Sequence, residues 1–303
     1  MNPNLRIWFD GKLGSSTVAM IPVMAHTLHY GTGVFEGIRS YKIKRGRTVF
    51  MLMEHIDRLF RSASLIGIKI PFTTSELYKA VEIVLNENKL ADAYIRPLVF
   101  YGVGSMGLNV KLPSNANSVH VLVSAWEWPS YFDENKPGIN AMISTHKRVF
   151  SSPQLSQSKA SGHYLSSCCA HAEAIAAGYD EALLNDADGY LAEASAANLF
   201  IVRNGAVYTP YTTSALRGIT RAAILKLCFA EGYRVHQANL RVTELLQSDE
   251  VFLTGTACEV VPVLSVDGKL IRDGCVGPVT ARLARMYQQL VRVEADQVSM
   301  QCQ

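Results

Sequence analysis

Apolar and polar positions along this chain repeat with two different periods, and the switches between them mark out its elements. The run "LRIWFDG" is short and apolar and closes on a turn pair, as a strand does. "TVFMLM", residues 48–53, is an apolar stretch of strand length. It leads into "EHIDRLFRSASLIGI", where Ile56, Leu59, Phe60, Ala63 and Ile66 share one helical face. Thr73 with Glu76 three residues on spells a capping box. The helix it opens carries Leu77, Val81, Val84 and Leu85 on the side to be buried. "AYIRPLVFY" and "SVHVLVSAW" then read as two core strands.

The pattern breaks at "WEWPSYFDENKPG", where prolines, charges and four aromatics fall together. Residues 127–138 are read as an interdomain linker between an N-terminal α/β domain (1–126) and a C-terminal domain (139–303). The aromatics are unusual in a passive linker and suggest that it also lines a cleft. Beyond it, "INAMIST" is a strand, and a helix near 163–177 is stopped by Gly178. "EALLND", "NLFIVR" and "AVYTP" are strands, "TRAAILKLCFAEG" is a helix ending at Gly232, and "DEVFLTG" is a strand. A last helix, 278–293, opens with Pro278 at its first position. The whole is a mixed α/β chain, smaller domain first.

Composition narrows the function classes. A chain of 303 residues with 49% hydrophobic and 18% charged residues builds a large core and is not disordered. The net charge is +3, and the densest basic run, Lys42–Arg47, is explained by a hairpin tip around Gly46. A nucleic-acid role needs many phosphate contacts and is set aside. "MNPNLRIWFDGKLGSS" lacks the basic and apolar regions of a signal peptide, and no apolar run reaches membrane-spanning length. The expectation is a cytoplasmic protein without a membrane partner. The six cysteines and eight histidines show neither zinc-site nor HExxH spacing, so no metal is expected.

Five features carry candidate chemistry. "GVGSMG", 102–107, matches GxGxxG, but "LNVKLPSN" follows it and starts a helix poorly, so a glycine loop at the mouth of a site is preferred to a dinucleotide fingerprint. "SALRGITRAAILKL" places Gly218 before a helix start at Ile219 and Thr220, which suits a phosphate and equally suits a plain helix cap. "FLTGTACEV" ends a strand in the small residues Thr254, Gly255 and Thr256. Glu193 stands among alanines in "LAEASAANLF", either a surface turn acid or a buried carboxylate with a cationic partner. Lys159, in "SQSKASGHYLSS", is either a solvated lysine or a cleft amine made nucleophilic by a lowered pKa. A lysine, two phosphate-binding turns and a buried acid are what a pyridoxal phosphate site requires.

The ordered set "HTLHYGTGVFEGIRSY", "EHIDRLFRSA", "YIRPLVF", "SKASGHY", "GYDEALLND", "GYLAEASAANLF", "TSALRGITR" and "GTACEVVPV" resembles the branched-chain amino acid aminotransferases of fold type IV of the pyridoxal phosphate enzymes. The resemblance covers nearly the whole chain. It implies a two-domain fold with a C-terminal pseudo-barrel and the cofactor, pyridoxal 5'-phosphate (PLP), held between the domains. Lys159 corresponds to the Schiff-base lysine, Glu193 to the partner of the pyridine nitrogen, and Tyr164 to the contact of the phenolic oxygen. Arg58, Ile219, Thr220 and Thr256 correspond to the phosphate cup. Tyr30, Phe35, Gly37, Tyr94, Arg96, Met106, Leu108, Trp128 and Tyr131 correspond to the substrate pocket, with Thr256 and Ala257 receiving the α-carboxylate. The implied partners are branched-chain amino acids, 2-oxoglutarate and glutamate, and further copies of the chain, as a homodimer or as a homohexamer built of three dimers. Ala197 stands where many relatives have a second acid, Cys258 where alanine is frequent, and Arg217 where proline is frequent. D-amino acid aminotransferases, (R)-amine aminotransferases and aminodeoxychorismate lyases share the fold and stay as alternatives, as does a cofactor-binding protein without catalysis.

Overall fold

A computed structural model describes residues 5–17, 19–108, 118–128, 131–132, 135–148, 150, 152 and 154–293. The chain forms two compact units. One is Met1–Pro129 with Ser158–His163 and Arg292–Gln303; the other is Ser130–Gln157 with Tyr164–Val291.

In the first unit the elements are β1 (Arg6–Phe9), β2 (Lys12–Ser15), α1 (His26–Tyr30), β3 (Gly33–Phe35), β4 (Ile38–Ile43), β5 (Gly46–Val49), α2 (Leu52–Leu65), α3 (Thr74–Glu87), β6 (Ala93–Tyr101) and β7 (Val119–Glu127). Among the described residues they make a 7-stranded sheet in the order β2-β1-β7-β6-β4-β5, with β3 also on β6. One sheet face packs on α2 and α3. Ile56, Leu59 and Ala63 from α2 and Leu77, Val81, Val84 and Leu85 from α3 are buried against Ile95, Val99, Val121 and Val123. The helical faces read from the sequence are therefore the faces that pack. The capping box forms, with Glu76 N–H donating to Thr73 Oγ1 and Thr73 N–H donating to the Glu76 carboxylate. Lys42–Arg47 does close a hairpin, Ile43 pairing with Gly46. "TVFMLM" does not stay a strand to residue 53. β5 stops at Val49, Met51 takes φ 50°, and α2 begins at Leu52.

β3 and β4 lie end to end on the same edge of β6, as one strand interrupted at Glu36–Gly37. The cause is Pro97. It accepts a hydrogen bond from Glu36 N–H at 2.9 Å, but its ring nitrogen has no hydrogen to return. The ladder loses one bond there, and the neighbouring strand bends.

The second unit holds β8 (Ile139–Lys147), α4 (Tyr164–Ala176), β9 (Glu181–Asn185), β10 (Leu191–Ala194), β11 (Asn198–Arg203), β12 (Ala206–Pro210), α5 (Ile219–Ala230), β13 (Val235–Ala238), α6 (Val242–Leu246), β14 (Glu250–Gly255), β15 (Glu259–Val266), β16 (Lys269–Leu270) and α7 (Pro278–Leu290). Among the described residues its sheet has 9 strands, in the order β10-β9-β8-β15-β14-β11-β12-β13 with β16 on β15. Glycines stop α4 and α5 as expected, Gly178 at φ 84° and Gly232 at φ 75°. Pro278 does open α7. Glu193 lies inside β10. Among the described residues no helix is long and apolar enough to cross a membrane.

Candidate active site

Lys159 belongs with the first unit although the chain on both sides of 158–163 belongs with the second. The backbone pins it in place. Its N–H donates to Ser62 Oγ at 3.0 Å, its carbonyl accepts from Phe35 N–H at 3.1 Å, and Ala160 bridges to Val34. The side chain is half-buried, with Nζ 4.9 Å from the centre of the Phe35 ring. The solvated-loop reading of this lysine does not hold.

The Phe35 ring in turn carries Arg96, whose partner Tyr94 is flanked by Trp128 and Gly37. The Arg96 guanidinium lies 4.6 Å from the Phe35 ring centre and 5.3 Å from that of Tyr94, and it donates to Tyr94 Oη at 3.3 Å. Tyr94 stacks on Trp128 at 4.6 Å and tilts against Trp126 at 5.3 Å. Gly37 is required by close approach, since a Cβ there would come within 1.9 Å of Tyr94 Oη. Arg96 and Trp126 also line a concavity of about 570 Å³ on the sheet face opposite α2 and α3, with Leu98, Phe100 and Leu122. Arg96 makes no ion pair with any described carboxylate, and its Nε is buried without a hydrogen-bond partner.

Arg58, expected to hold phosphate, is itself held. Its Nε donates to Glu36 Oε1 at 2.6 Å and Nη2 to Glu36 Oε2 at 2.9 Å, a two-point grip on a fully buried carboxylate. His55 Nδ1 reaches the same Oε2 at 2.7 Å. Burial alone would raise the Glu36 carboxyl, but Arg58 and then His55 outweigh it and hold it well below the usual range. Burial pushes His55 below its ordinary value against the pull of Glu36. The sequence reading missed Glu36 and His55. The signal was there: an acid inside the apolar "GVFEGI" is the anomaly that singled out Glu193.

Tyr30, Met106 and Leu108 are in the same unit but stand outward, exposed beside the loop 102–108. No helix follows that loop up to residue 108, and 109–117 lie outside the described residues.

In the second unit Glu193 is the centre. It is buried, and Arg148 Nε donates to its Oε1 at 2.7 Å. Leu216 N–H and Asn198 Nδ2 donate to Oε2 at 3.1 and 3.4 Å. A carboxylate offers about four acceptor directions, so one on Oε1 is left for another donor. Arg148 also donates to Ser167 Oγ at 2.9 Å and to Ser195 O at 3.4 Å. The sequence reading asked for a cation beside Glu193 and did not find Arg148, because the two lie on β10 and at the end of β8, with β9 between them.

Asn198 Nδ2 ties the same network to Leu216 O at 2.9 Å. A Cβ at Gly218 would fall 1.9 Å from Asn198 Oδ1, so the glycine before α5 is sterically required. α5 starts with no side-chain cap, and its first N–H groups have no acceptor within the helix. Thr256 and Ala257 sit in the three-residue turn between β14 and β15, closed by Glu259 at φ 59°. Just before them, Thr254 Oγ1 is buried without a hydrogen-bond partner. Tyr164 opens α4, and Tyr131 packs edge-on against Phe132 at 4.8 Å. Cys258, against Gly255 and beside Ala197, is a neutral thiol whose pKa burial drives up.

Within the second unit the paired Glu193 carboxylate suits a protonated ring nitrogen and the uncapped start of α5 suits a phosphate; within the first, Arg96 suits a carboxylate. Comparison with known proteins agrees. Residues 33–266 match the amino-transferase class IV family. A branched-chain-amino-acid aminotransferase of Pseudomonas aeruginosa is 42% identical over 287 residues, 94% of this chain and 92% of that protein. The crystal structure of the Escherichia coli branched-chain amino acid aminotransferase superposes with a TM-score of 0.90 at 40% identity, covering 95% of this chain and 94% of that one. That of the Thermobaculum terrenum branched-chain amino acid aminotransferase, in its PLP form, gives 0.87 at 28% identity, covering 96% and 95%. This chain belongs to the class IV aminotransferases.

Proposed function

We infer that the chain is a branched-chain-amino-acid aminotransferase. It transfers the amino group of L-leucine, L-isoleucine or L-valine reversibly to 2-oxoglutarate, giving the branched 2-oxo acid and L-glutamate in a ping-pong sequence with PLP. The relatives named for this activity support it, and the observation that carries it is Arg96. A half-buried cation, walled by aromatic rings and lacking an acid partner among the described residues, suits a pocket that takes an aliphatic side chain in one half-reaction and a carboxylate in the other.

When bound, PLP supplies a carbonyl that captures the amine and a ring that accepts the electron pair left at Cα. The protein does the rest. Lys159 Nζ would hold the cofactor carbonyl and, once free, would carry the Cα proton. Glu193 would offer its remaining acceptor direction to the protonated ring nitrogen, with Arg148 balancing its charge. Arg58, Ile219, Thr220 and Thr256 would hold the phosphate, and Tyr164 the phenolic oxygen. The turn at Thr256 and Ala257 receives the α-carboxylate. Phe35, Gly37, Tyr94, Trp128 and Tyr131 shape the side-chain pocket with Tyr30, Met106 and Leu108.

Exposed Met20, Val23, Leu28 and Leu108, at 83%, 77%, 63% and 89%, favour at least a homodimer, with the hexamer as the larger assembly. A monomer by light scattering would oppose this. The activity is tested on the visible spectrum of the purified protein. L-leucine should bleach the cofactor band; D-alanine and an aryl amine should not. Bleaching by D-alanine alone would overturn the assignment to the branched-chain enzymes. Lys159→Ala should abolish turnover.

A further inference from the structure

The glycine motif 102–107 is tied at both ends to a single residue of α1, at Gly102 by its backbone and at Gly107 by its side chain. His26 is buried, 2% exposed. Its backbone N–H donates to Gly102 O at 2.9 Å, and its ring Nε2 donates to Gly107 O at 2.8 Å. A carbonyl only accepts, so Nε2 carries the hydrogen. In the neutral ring Nδ1 then accepts from the Thr32 hydroxyl, 2.7 Å away. One histidine thus closes the six-residue loop like a staple. The glycines allow it. A Cβ at Gly102 would strike His120 and Ser118 at 2.4 Å, and Gly107 takes φ +110° to turn its carbonyl inward. The imidazole also packs on Tyr30, ring centres 4.4 Å apart. Tyr30 packs on the same residue, Met106 and Leu108 flank the Gly107 it holds, and all three stand outward at 43%, 40% and 89% exposure.

We propose that His26 is a positioning residue for substrate selection: by stapling the loop 102–107 and backing Tyr30 it sets the apolar wall that distinguishes a branched aliphatic side chain from a short one. This rests on the reading above, in which Tyr30, Met106 and Leu108 line the side-chain pocket. His26 has no role in proton transfer. Its loss loosens a wall that touches the substrate beyond Cβ and leaves the reacting atoms where they were.

The test is the ratio of kcat/KM for the L-leucine half-reaction to that for the L-alanine half-reaction, followed on the cofactor spectrum of the holoenzyme. His26→Ala and His26→Asn should lower this ratio about tenfold, the order expected when part of an apolar pocket stops fitting its side chain. The change should fall in KM for leucine, with its kcat and the PLP affinity within about twofold. His26→Gln, whose amide nitrogen reaches where Nε2 stood, should restore most of the ratio. Leu108→Ala, at a position 89% exposed in the single chain, should lower it independently of any folding defect. Unchanged ratios in the Asn and Leu108→Ala variants overturn the inference. So does a loss of kcat common to both substrates, or a Gln variant no better than Asn. If the wild type itself shows no leucine half-reaction, it is the assigned function that fails.

Discussion

Three buried or half-buried arginines, Arg58, Arg148 and Arg96, are held in two different ways. Arg58 rests on Glu36 and Arg148 on Glu193, each through bonds of 2.6–2.9 Å. Arg96 rests on π-faces and one phenol, with its Nε unsatisfied. Cation–π contacts are worth about 0.5–2 kcal/mol each, less than a desolvated carboxylate would add. Arg96→Ala should therefore lower kcat/KM for the glutamate half-reaction about a hundredfold, within the range for truncating one partner of a buried charge pair. The leucine half-reaction should lose no more than about fivefold, because it loses ring packing and no ion pair. Arg96→Lys should recover only part, since an ammonium lacks the planar fork. Equal losses for both substrates would contradict this division of labour. At this scale the sequence was legible where a charge stood out from its neighbours, as with Glu193. It was silent on the partner, because Arg148 is 45 residues away and only strand order brings the two together. Lys159 could be read either way until the backbone bonds to Ser62 and Phe35 fixed its place.

At the scale of elements, the break between β3 and β4 organises the first unit's share of the site. Pro97 removes one ladder bond, the strand bends at Glu36–Gly37, Glu36 turns into the core to grip Arg58, and Gly37 leaves room for Tyr94. A proline is unusual in a central strand such as "AYIRPLVFY"; the interrupted neighbour is what makes it tolerable. Gly37→Ala should push Tyr94 aside and cost about 1–3 kcal/mol in urea unfolding, the usual penalty of overpacking a filled space. It should also raise KM for leucine, since Tyr94 stacks on Trp128 and holds Arg96. A variant with unchanged stability and KM would show that the space around Tyr94 is slack. Helix faces and the capping box were readable because they obey local spacing. The end of β5 was not, since an apolar run such as "TVFMLM" has no period of its own and the turn at Met51 is set by the left-handed backbone there.

For the molecule as a whole, the network Glu36–Arg58–His55 makes stability depend on pH with a definite sign. An unfolded chain protonates Glu36 near 4.5, while the folded chain keeps it ionised to lower pH. Between those two points the unfolded state binds more protons, so stability present above about 4.5 is lost as pH falls. His55 acts in the same direction: unfolded, it charges near 6.5, and burial in the folded chain resists this until lower pH. His171 has the opposite sign, raised by the Glu181 carboxylate beside its ring, but that pair is 3.6 Å apart and the histidine side chain is 37% exposed, so solvent screens it. The buried pair decides. Glu36→Gln leaves Arg58 without its counter-charge and should cost about 3–5 kcal/mol near neutral pH. Because the wild type loses the same interaction when Glu36 protonates, the gap between the two proteins should close as the pH falls below about 4.5. Denaturation of both proteins from about pH 7 to about pH 3 measures that gap. A constant difference across the whole range would mean that the carboxylate's charge contributes nothing and that its shape alone holds Arg58 in place.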